Sequence, residues 1–355
     1  MMPDRLKIAG ATLLEGDCFE LMATLEPDSI DAIVTDPPYG IGQLVSERWD
    51  DAGMVRVARA GGERLTASEA FEAWCREWGE GCFRVLKPGG HLLAFSSPRT
   101  VHRFTCGIED AGFEIRDELM WLYGTGLPKS HRYPGGLSTT LKPAYEPIVL
   151  GRRPLAGTTE ETIAAFGTGA LNTDACKVSG RHPANVLLSH EPGCRGERCA
   201  SDCAAALVDA DANRHRRGSG AQAAASRIFY CPKVSRAERD AGCEHLPRQK
   251  LGLFPRSSGG KAKGAARNSH PTVKPLELMR WLIRLACPPD GLVLDPTCGS
   301  GSTGAAALLE GRRFVGIELD PSYMEIAAAR IAHWAPEGTP KPRVRRGPLG
   351  KRRRR

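Results

Sequence analysis

Residues 292–301, LVLDPTCGSG, are the stretch that decides the fold. A short apolar run ends at Asp295, a turn with two glycines follows, and residues 302–310 have the composition of a helix. Glycines let a ligand approach the backbone, and the N–H groups at a helix N-terminus attract an anionic group. The pattern predicts a buried strand, a ligand-binding turn and a helix, although an ordinary glycine turn of an α/β protein has the same local sequence.

The next predicted strand, Arg313–Ile317, is followed by Glu318. An acidic residue at this distance after a glycine turn can hold two ribose hydroxyls. The turn lacks the Gly-Lys-Ser/Thr ending of a phosphate loop, and Asp295 would repel a pyrophosphate. A ligand with a ribose, an ammonium and a carboxylate fits better, which favours S-adenosylmethionine (AdoMet).

A second candidate site lies near the N-terminus, where the apolar run Ile30–Thr35 is followed by Asp36, Pro37, Pro38 and Tyr39. Proline cannot continue a ladder and restrains the residue before it, so the Asp36 carboxylate and the Pro37 carbonyl should be held stiffly. Two acceptors beside an aromatic ring suit a flat ring that carries an NH2 group. A proline-rich turn after a core strand is the alternative interpretation.

Strand and helix patterns alternate over residues 1–150 and again over 270–335, which predicts an α/β sheet with helices on both faces. We expect one strand over Leu6–Gly16, a helix over Phe19–Leu25 and a helix over Ala67–Leu86 whose aromatic residues are core contacts. The pattern dissolves over 151–269, which is too long for a simple connection. Residues 336–355 are proline-rich and then basic, as in a disordered tail.

Composition limits the class of protein. The net charge is +8, the last fifteen residues hold nine basic residues and no acidic one, and residues 151–269 are also basic. An otherwise acidic chain with basic parts fits a protein that meets a polyanion. No stretch predicts a membrane span or an export signal, so we expect a cytoplasmic protein whose twelve cysteines are mostly reduced.

Together these motifs resemble those of DNA amino-methyltransferases, in the order of the beta group, with the catalytic motif first and the AdoMet loop last. The resemblance covers roughly 1–150 and 270–335. It implies a Rossmann-like AdoMet-dependent methyltransferase fold, permuted so that the catalytic half (1–150) precedes the cofactor half (270–335), with 151–269 as an inserted target-recognition region. The segments 124–130 (GTGLPKS) and 229–233 (FYCPK) are similar to those of prophage-type members. Restriction-modification enzymes belong to the same family.

The same resemblance assigns the site residues. The catalytic motif is Asp36, Pro37, Pro38 and Tyr39. The cofactor-binding residues are Asp17, Cys18, Thr272, Lys274, Asp295, Pro296, Thr297, Gly299, Ser300, Gly301 and Glu318. Asp17, Asp295 and Glu318 could instead be simple capping or strand-end acids, and Thr272 and Lys274 could lie in a solvated loop. Thr297-Cys298 departs from relatives, which often carry Phe or Met there.

The implied reaction is methyl transfer to the exocyclic nitrogen of a base flipped out of duplex DNA. C5-cytosine methylation requires a cysteine that follows a proline, and none of the twelve does. Adenine N6 is favoured over cytosine N4, because N4 enzymes more often have Ser at the position of Asp36. A methyltransferase of RNA or protein amides and a non-catalytic DNA-binding protein are the rivals. The recognition sequence, a cognate restriction enzyme and a homodimer are left open.

Two features of the central segment remain. His190, Cys194, Cys199 and Cys203 could form a structural zinc site, but their spacing departs from paired knuckles and free thiols are favoured, so no metal is assigned. Basic residues of the segment could follow DNA phosphates, with a solvated surface as the alternative for each. They are Arg214, Arg216, Arg217, Arg227, Lys233, Lys261, Lys263 and Arg267.

Overall fold

The computed structural model describes residues 5–41, 65–123, 133–141, 143–177, 182–188, 231, 233–250 and 265–336. The described strands are β1 (Arg5–Ile8), β2 (Ala11–Glu15), β3 (Ile30–Thr35), β4 (Leu86–Phe95), β5 (Glu114–Leu122), β6 (Tyr145–Arg152), β7 (Val186–Leu188), β8 (Gln249–Lys250), β9 (Ala265–Ala266), β10 (Leu292–Asp295) and β11 (Arg313–Glu318). The described helices are α1 (Cys18–Ala23), α2 (Ala67–Val85), α3 (Val101–Asp110), α4 (Thr159–Phe166), α5 (Arg236–Asp240), α6 (Leu276–Ala286), α7 (Ser302–Leu309) and α8 (Pro321–Trp334).

Nine of the described strands form one mixed sheet in the order β1-β2-β11-β10-β3-β4-β6-β5-β7. Strands β2, β11, β10, β3 and β4 are parallel neighbours, and β6 is antiparallel to both β4 and β5. From β10 the chain continues to β11 on one side, and from β3 it continues to β4 on the other. Strands β10 and β3 therefore flank the point where the strand order reverses, and the crevice at their carboxyl ends is the usual ligand site of such sheets.

Helices cover both faces of this sheet, as the alternation predicts. On one face α2 and α3 pack on Ile33, Leu92 and Ala94, and on the other α6, α7 and α8 pack on Val34 and Leu93. Neighbouring strand residues thus point to opposite faces, and β3 is buried along its whole length. The fold is the predicted α/β, Rossmann-like architecture.

The aromatic stripe of α2 is core, as expected. Phe71, Trp74 and Trp78 are buried, and the Trp74 and Trp78 rings stack with centroids 6.0 Å apart. The helix begins with a capping box in which the Thr66 Oγ1 accepts from the Glu69 N–H at 3.3 Å and the Glu69 carboxylate accepts from the Thr66 N–H at 2.8 Å.

Several predicted boundaries were wrong. The predicted single strand over Leu6–Gly16 is a hairpin of β1 and β2 that turns at Ala9 and Gly10, with Ala9 at φ 54°. The proline and two glycines of Lys87–Gly90 predict a break and a strand over His91–Phe95, but strand β4 already begins at Leu86. A salt bridge joins the start of β4 to β3, since the Lys87 Nζ lies 2.6 Å from the Asp31 carboxylate.

Parts of residues 151–269 join the main body. Strand β6 runs to Arg152, across the predicted boundary at 150, and β7 pairs in parallel with β5 at the edge of the same sheet. Helix α4, not expected from the sequence, starts with a capping box between Thr158 and Glu161 and contacts β4. The target-recognition role of the segment stays a prediction.

None of the helices in the described ranges is long and apolar enough to cross a membrane.

Candidate active site

The Asp36–Tyr39 motif lies directly after β3, at the carboxyl edge of the sheet beside the reversal of strand order. The Tyr39 hydroxyl donates to the Asp36 Oδ1 at 2.6 Å, and the Thr100 hydroxyl, just before α3, donates to the Tyr39 carbonyl at 2.7 Å. Gly40 has φ +64°, and a Cβ there would lie 2.4 Å from the Phe71 ring. The backbone after the motif is therefore fixed by both its turn and the ring packed on it.

Lys274 reaches this motif from the start of α6. Its Nζ lies 2.5 Å from the Asp36 Oδ2 and 3.3 Å from the Glu146 Oε2, and it donates to the Tyr39 hydroxyl at 3.1 Å. The Phe95 ring centroid lies 4.6 Å from the same Nζ. Only 7% of the Lys274 side chain is exposed, against 16% for Asp36. Two carboxylates around one ammonium leave this cluster with one net negative charge.

Burial and charge act against each other on Lys274. Desolvation lowers its pKa, but Asp36 and Glu146 outweigh it and raise the pKa above the usual value, so the ammonium stays charged. Burial, together with Asp36 and Glu146, also raises the pKa of Tyr39 well above its usual range. The Tyr39 hydroxyl is therefore a neutral donor at physiological pH.

Asp295 is buried at the end of β10, and its carboxylate accepts hydrogen bonds from residues in and around the glycine turn. Its Oδ1 accepts from the Thr35 hydroxyl at 2.6 Å and from the Thr297 N–H at 3.1 Å, and its Oδ2 accepts from the Thr303 hydroxyl at 2.5 Å. Burial raises the pKa of Asp295 to about 6 although these bonds favour the charged form. Asp295 thus ties the end of β3 to the glycine turn.

The turn itself is shaped by its glycines. Gly299 has φ +53° and Gly301 has φ +75°, and a Cβ would meet the His270 ring at 2.7 Å or the backbone of Ala327 at 2.9 Å. Pro296 and Thr297 lead into it from Asp295. The structure thus explains both glycines by conformation and by space.

Buried Arg330 of α8 supports the turn from behind. Its guanidinium donates to the Ser300 carbonyl at 2.7 Å and to the hydroxyls of Ser300 and Ser302 at 3.1 and 3.0 Å. The Ser302 hydroxyl in turn donates to the Lys274 carbonyl at 3.0 Å. These bonds connect the glycine turn to the residue that pairs with Asp36.

Glu318, at the end of β11, lies beside the same turn. Its Oε2 accepts from the Gly299 N–H at 2.7 Å and its Oε1 from the Asp320 N–H at 2.8 Å. Burial raises the pKa of Glu318 to about 7, and the two backbone bonds only partly offset that effect. Lone pairs remain on both oxygens for further donors.

Asp17 and Cys18 follow β2, next to β11. Asp17 caps α1, since its Oδ1 accepts from the N–H groups of Phe19 at 2.8 Å and Glu20 at 3.3 Å. The Gly16 N–H donates to the Glu318 carbonyl at 2.9 Å. Asp17 and Cys18, which follow Gly16, therefore lie at the Glu318 end of the crevice. Burial raises the pKa of the Cys18 thiol to about 12, which makes it an unreactive thiol.

Thr272 and Lys274 belong to one motif, residues 270–275 (HPTVKP), but their side chains lie in different environments. Thr272 is exposed, and its N–H donates to the His270 Nδ1 at 3.3 Å. Lys274 is buried and turned towards Asp36. Cofactor binding by these residues stays a prediction.

Of the basic candidates, Lys233 and Arg267 lie in the described ranges. The Lys233 Nζ lies 3.5 Å from the Tyr123 ring centroid, and Arg267 donates to the Leu246 carbonyl at 2.7 Å. The other basic candidates lie outside the described residues, as do His190, Cys194, Cys199 and Cys203. Within the described ranges, no cluster of potential metal ligands is found.

Four residues of the site were missed by sequence reasoning: Thr35, Glu146, Thr303 and Arg330. Thr35 and Thr303 adjoin the two motifs and could have been proposed from position alone. Glu146 lies on β6 and Arg330 on α8, without a local pattern that marks either. Only the three-dimensional packing brings them to the crevice.

Comparison with known proteins shows the family to which the chain is similar. The family model described as DNA methylase, of the N6/N4 type, matches residues 30–329. DNA adenine methyltransferase YhdJ of Escherichia coli (strain K12) is 23% identical over 359 residues, covering 99% of this chain and 94% of that protein. Type II methyltransferase M.HinfI of Haemophilus influenzae is 21% identical over 339 residues, covering 95% of this chain and 72% of that protein.

Among solved structures, the cytosine-N4-specific PvuII DNA methyltransferase superposes with a TM-score of 0.55 at 16% identity, covering 92% of this chain and 90% of that one. At this identity the likeness shows the fold. It supports the Rossmann-like methyltransferase architecture that the strand order indicates.

Proposed function

The chain belongs to the N6/N4 family of AdoMet-dependent DNA methylases, and on that premise we propose that it methylates the exocyclic N6 of an adenine flipped out of duplex DNA. The observation that carries the proposal is the intact Asp36–Tyr39 motif at the end of β3, directly beside the glycine turn that follows β10. The adenine-specific relative from Escherichia coli supports the choice of base.

The residues beside the glycine turn fit AdoMet. Glu318 has free lone pairs at a strand end for the ribose hydroxyls, and the positive φ of Gly299 and Gly301 gives the turn the tight path that a ligand at a helix N-terminus requires. Asp17 and Cys18 lie at the same end for the adenine ring. The donor supplies an electrophilic methyl group on a sulfonium, and the net negative cluster around Asp36 favours that positive charge nearby.

The chain's own part in the reaction is to position and orient the target amine. Its lone pair is delocalised into the base ring and is weakly nucleophilic. The Asp36 carboxylate and the Pro37 carbonyl would accept its two hydrogens, favour a pyramidal nitrogen and direct the lone pair towards the methyl group. Tyr39 stacks on the base, and Asp36 or water takes up the proton after transfer.

A direct experiment tests the proposal. The full chain is expressed in a host without DNA methylation, and its DNA is hydrolysed to nucleosides and analysed by mass spectrometry. N6-methyladenine is the expected product, and sequencing of the methylated sites gives the recognition sequence. N4-methylcytosine would contradict the base assignment, and unmodified DNA together with intact AdoMet binding would redirect the search to RNA or protein.

Substitution of the catalytic carboxylate gives the first prediction. D36A should lower the rate of methyl transfer by roughly 10²- to 10³-fold or more, because an acceptor for the target amine is lost. AdoMet affinity, measured by calorimetry, should fall much less than the rate, because D36A removes one charge that attracts the sulfonium but leaves the glycine turn and Glu318 in place. D36N, which keeps one acceptor oxygen, should fall between D36A and the wild type. Full activity of D36A would refute the mechanism.

A further inference from the structure

A donor and an acceptor lie side by side at the catalytic motif. The Lys274 ammonium can only donate and the Asp36 carboxylate can only accept, and their Nζ and Oδ2 atoms are 2.5 Å apart. Both are held by the backbone, because Asp36 precedes Pro37 and Lys274 precedes Pro275, the residue before α6. The pair is mostly buried, where a polar contact discriminates strongly between matched and mismatched partners.

We propose that Lys274 is a specificity-determining residue that donates to the ring nitrogen next to the target amine while Asp36 accepts from the amine itself. The inference rests on the proposed function only in taking an exocyclic amine of a flipped base as the target. It goes beyond that function because it names the atom of the base that a second side chain recognises, and it replaces the cofactor-binding role that the resemblance implies for Lys274.

The spacing of the pair matches the edge of the base. Two nitrogens bonded to one ring carbon at about 1.33 Å lie about 2.3 Å apart, close to the Nζ–Oδ2 distance. Adenine presents this edge as N6 and N1, and cytosine presents it as N4 and N3. Guanine and thymine present a carbonyl beside a ring N–H. The Asp36 carboxylate would then face another acceptor, and the Lys274 ammonium would face another donor. The pair therefore admits amino bases and rejects oxo bases.

Glu146 makes this arrangement possible. The three N–H groups of Lys274 face Asp36, Glu146 and the Tyr39 hydroxyl, at 2.5, 3.3 and 3.1 Å. When the base binds, its ring nitrogen would replace the Tyr39 hydroxyl as the third acceptor of Lys274. Tyr39 would keep a hydrogen bond, because its hydroxyl donates to Asp36 at 2.6 Å. Glu146 also offsets the charge of Lys274, so the cluster as a whole remains net negative beside the amine.

The role of Lys274 is recognition and not activation. A donor at the ring nitrogen draws electron density away from the amine and does not make it more nucleophilic. Its contribution lies in orienting the base, so that the amine hydrogens point to Asp36 and Pro37.

A cycle of protein and base substitutions tests this. Duplexes carry adenine, 1-deazaadenine or 3-deazaadenine at the methylated position of the recognition sequence, and kcat/KM is measured for the wild type, K274M and K274Q. We expect 1-deazaadenine to cost the wild type roughly 10- to 100-fold more than it costs the Lys274 variants. The weaker base pairing of the analogue affects the wild type and the variants equally, so it cancels when their losses in kcat/KM are compared. 3-Deazaadenine should affect all three enzymes alike.

K233M is the matched control, since Lys233 lies over the Tyr123 ring and is not part of the Asp36 pair. It should keep the sensitivity of the wild type to 1-deazaadenine. Equal sensitivity of K274M and the wild type would overturn the inference, and so would a large loss of AdoMet affinity in both Lys274 variants, which would assign Lys274 to the cofactor. A product of N4-methylcytosine would contradict the proposed base alone, and the cycle would then use 3-deazacytosine.

Discussion

At the scale of the residue, the carboxyl group of Glu318 has a pKa close to physiological pH. Its pKa of about 7 is a consequence of burial, and only the ionised form can accept from two ribose hydroxyls. A raised pKa means that the carboxylate is progressively lost as the pH falls through 7. AdoMet affinity should therefore weaken roughly tenfold between pH 8 and pH 6, as measured by calorimetry at constant ionic strength.

The variant E318Q isolates this effect from the titration of other groups, such as Asp295 with a pKa of about 6. Its affinity should be lower at pH 8 and nearly constant down to pH 6. If E318Q keeps the pH dependence of the wild type, a different group is responsible.

The sequence predicts part of the site well at this scale. Asp36, Asp295 and Glu318 each follow a short apolar run, and the structure brings all three to one edge of the sheet, where parallel strands end together. Glu146 could not be found in this way. It lies on an antiparallel strand, and its role depends on a contact with Lys274, far away in the sequence.

At the scale of the element, helix α2 supports the catalytic turn through Phe71, whose ring packs on Gly40. Its start depends on the capping box of Thr66 and Glu69. T66A should lower the free energy of unfolding by about 1 kcal/mol, measured by urea denaturation, because the first turn loses its side-chain acceptor. S68A, in the same exposed turn, is the control and should change stability far less.

Some helices and strands could be predicted from the sequence, and others could not. The continuous apolar run Ile30–Thr35 predicts β3 with the bounds observed, and the helical period of residues 276–286 predicts α6 with its observed bounds, Leu276–Ala286. The β1–β2 turn was missed because Ala9 is an unusual residue at positive φ. Helix α4 was missed although Thr158 and Glu161 have the spacing of a capping box, a signal that could have been used.

At the scale of the whole molecule, charge is divided between the sheet-based body and the basic parts. The last fifteen residues hold nine basic residues and no acidic one. Removal of residues 341–355 should weaken binding to any duplex DNA and flatten the dependence of affinity on salt, because fewer counterions are released. Fluorescence anisotropy over a salt series measures both, with AdoMet affinity as the control. An unchanged salt slope would show that the tail does not contact DNA.

The strand order has a consequence for synthesis. Strands β11 and β10 lie between β2 and β3, so the last quarter of the chain fills a slot in a sheet whose flanking strands are made first. While the ribosome is still translating the middle of the chain, β2 and β3 each lack a neighbour and expose unpaired strand edges, which are prone to aggregation. The sheet therefore stays open on the ribosome until Glu318 has emerged, and the crevice between the catalytic motif and the glycine turn forms only after β10 and β11 have been synthesised.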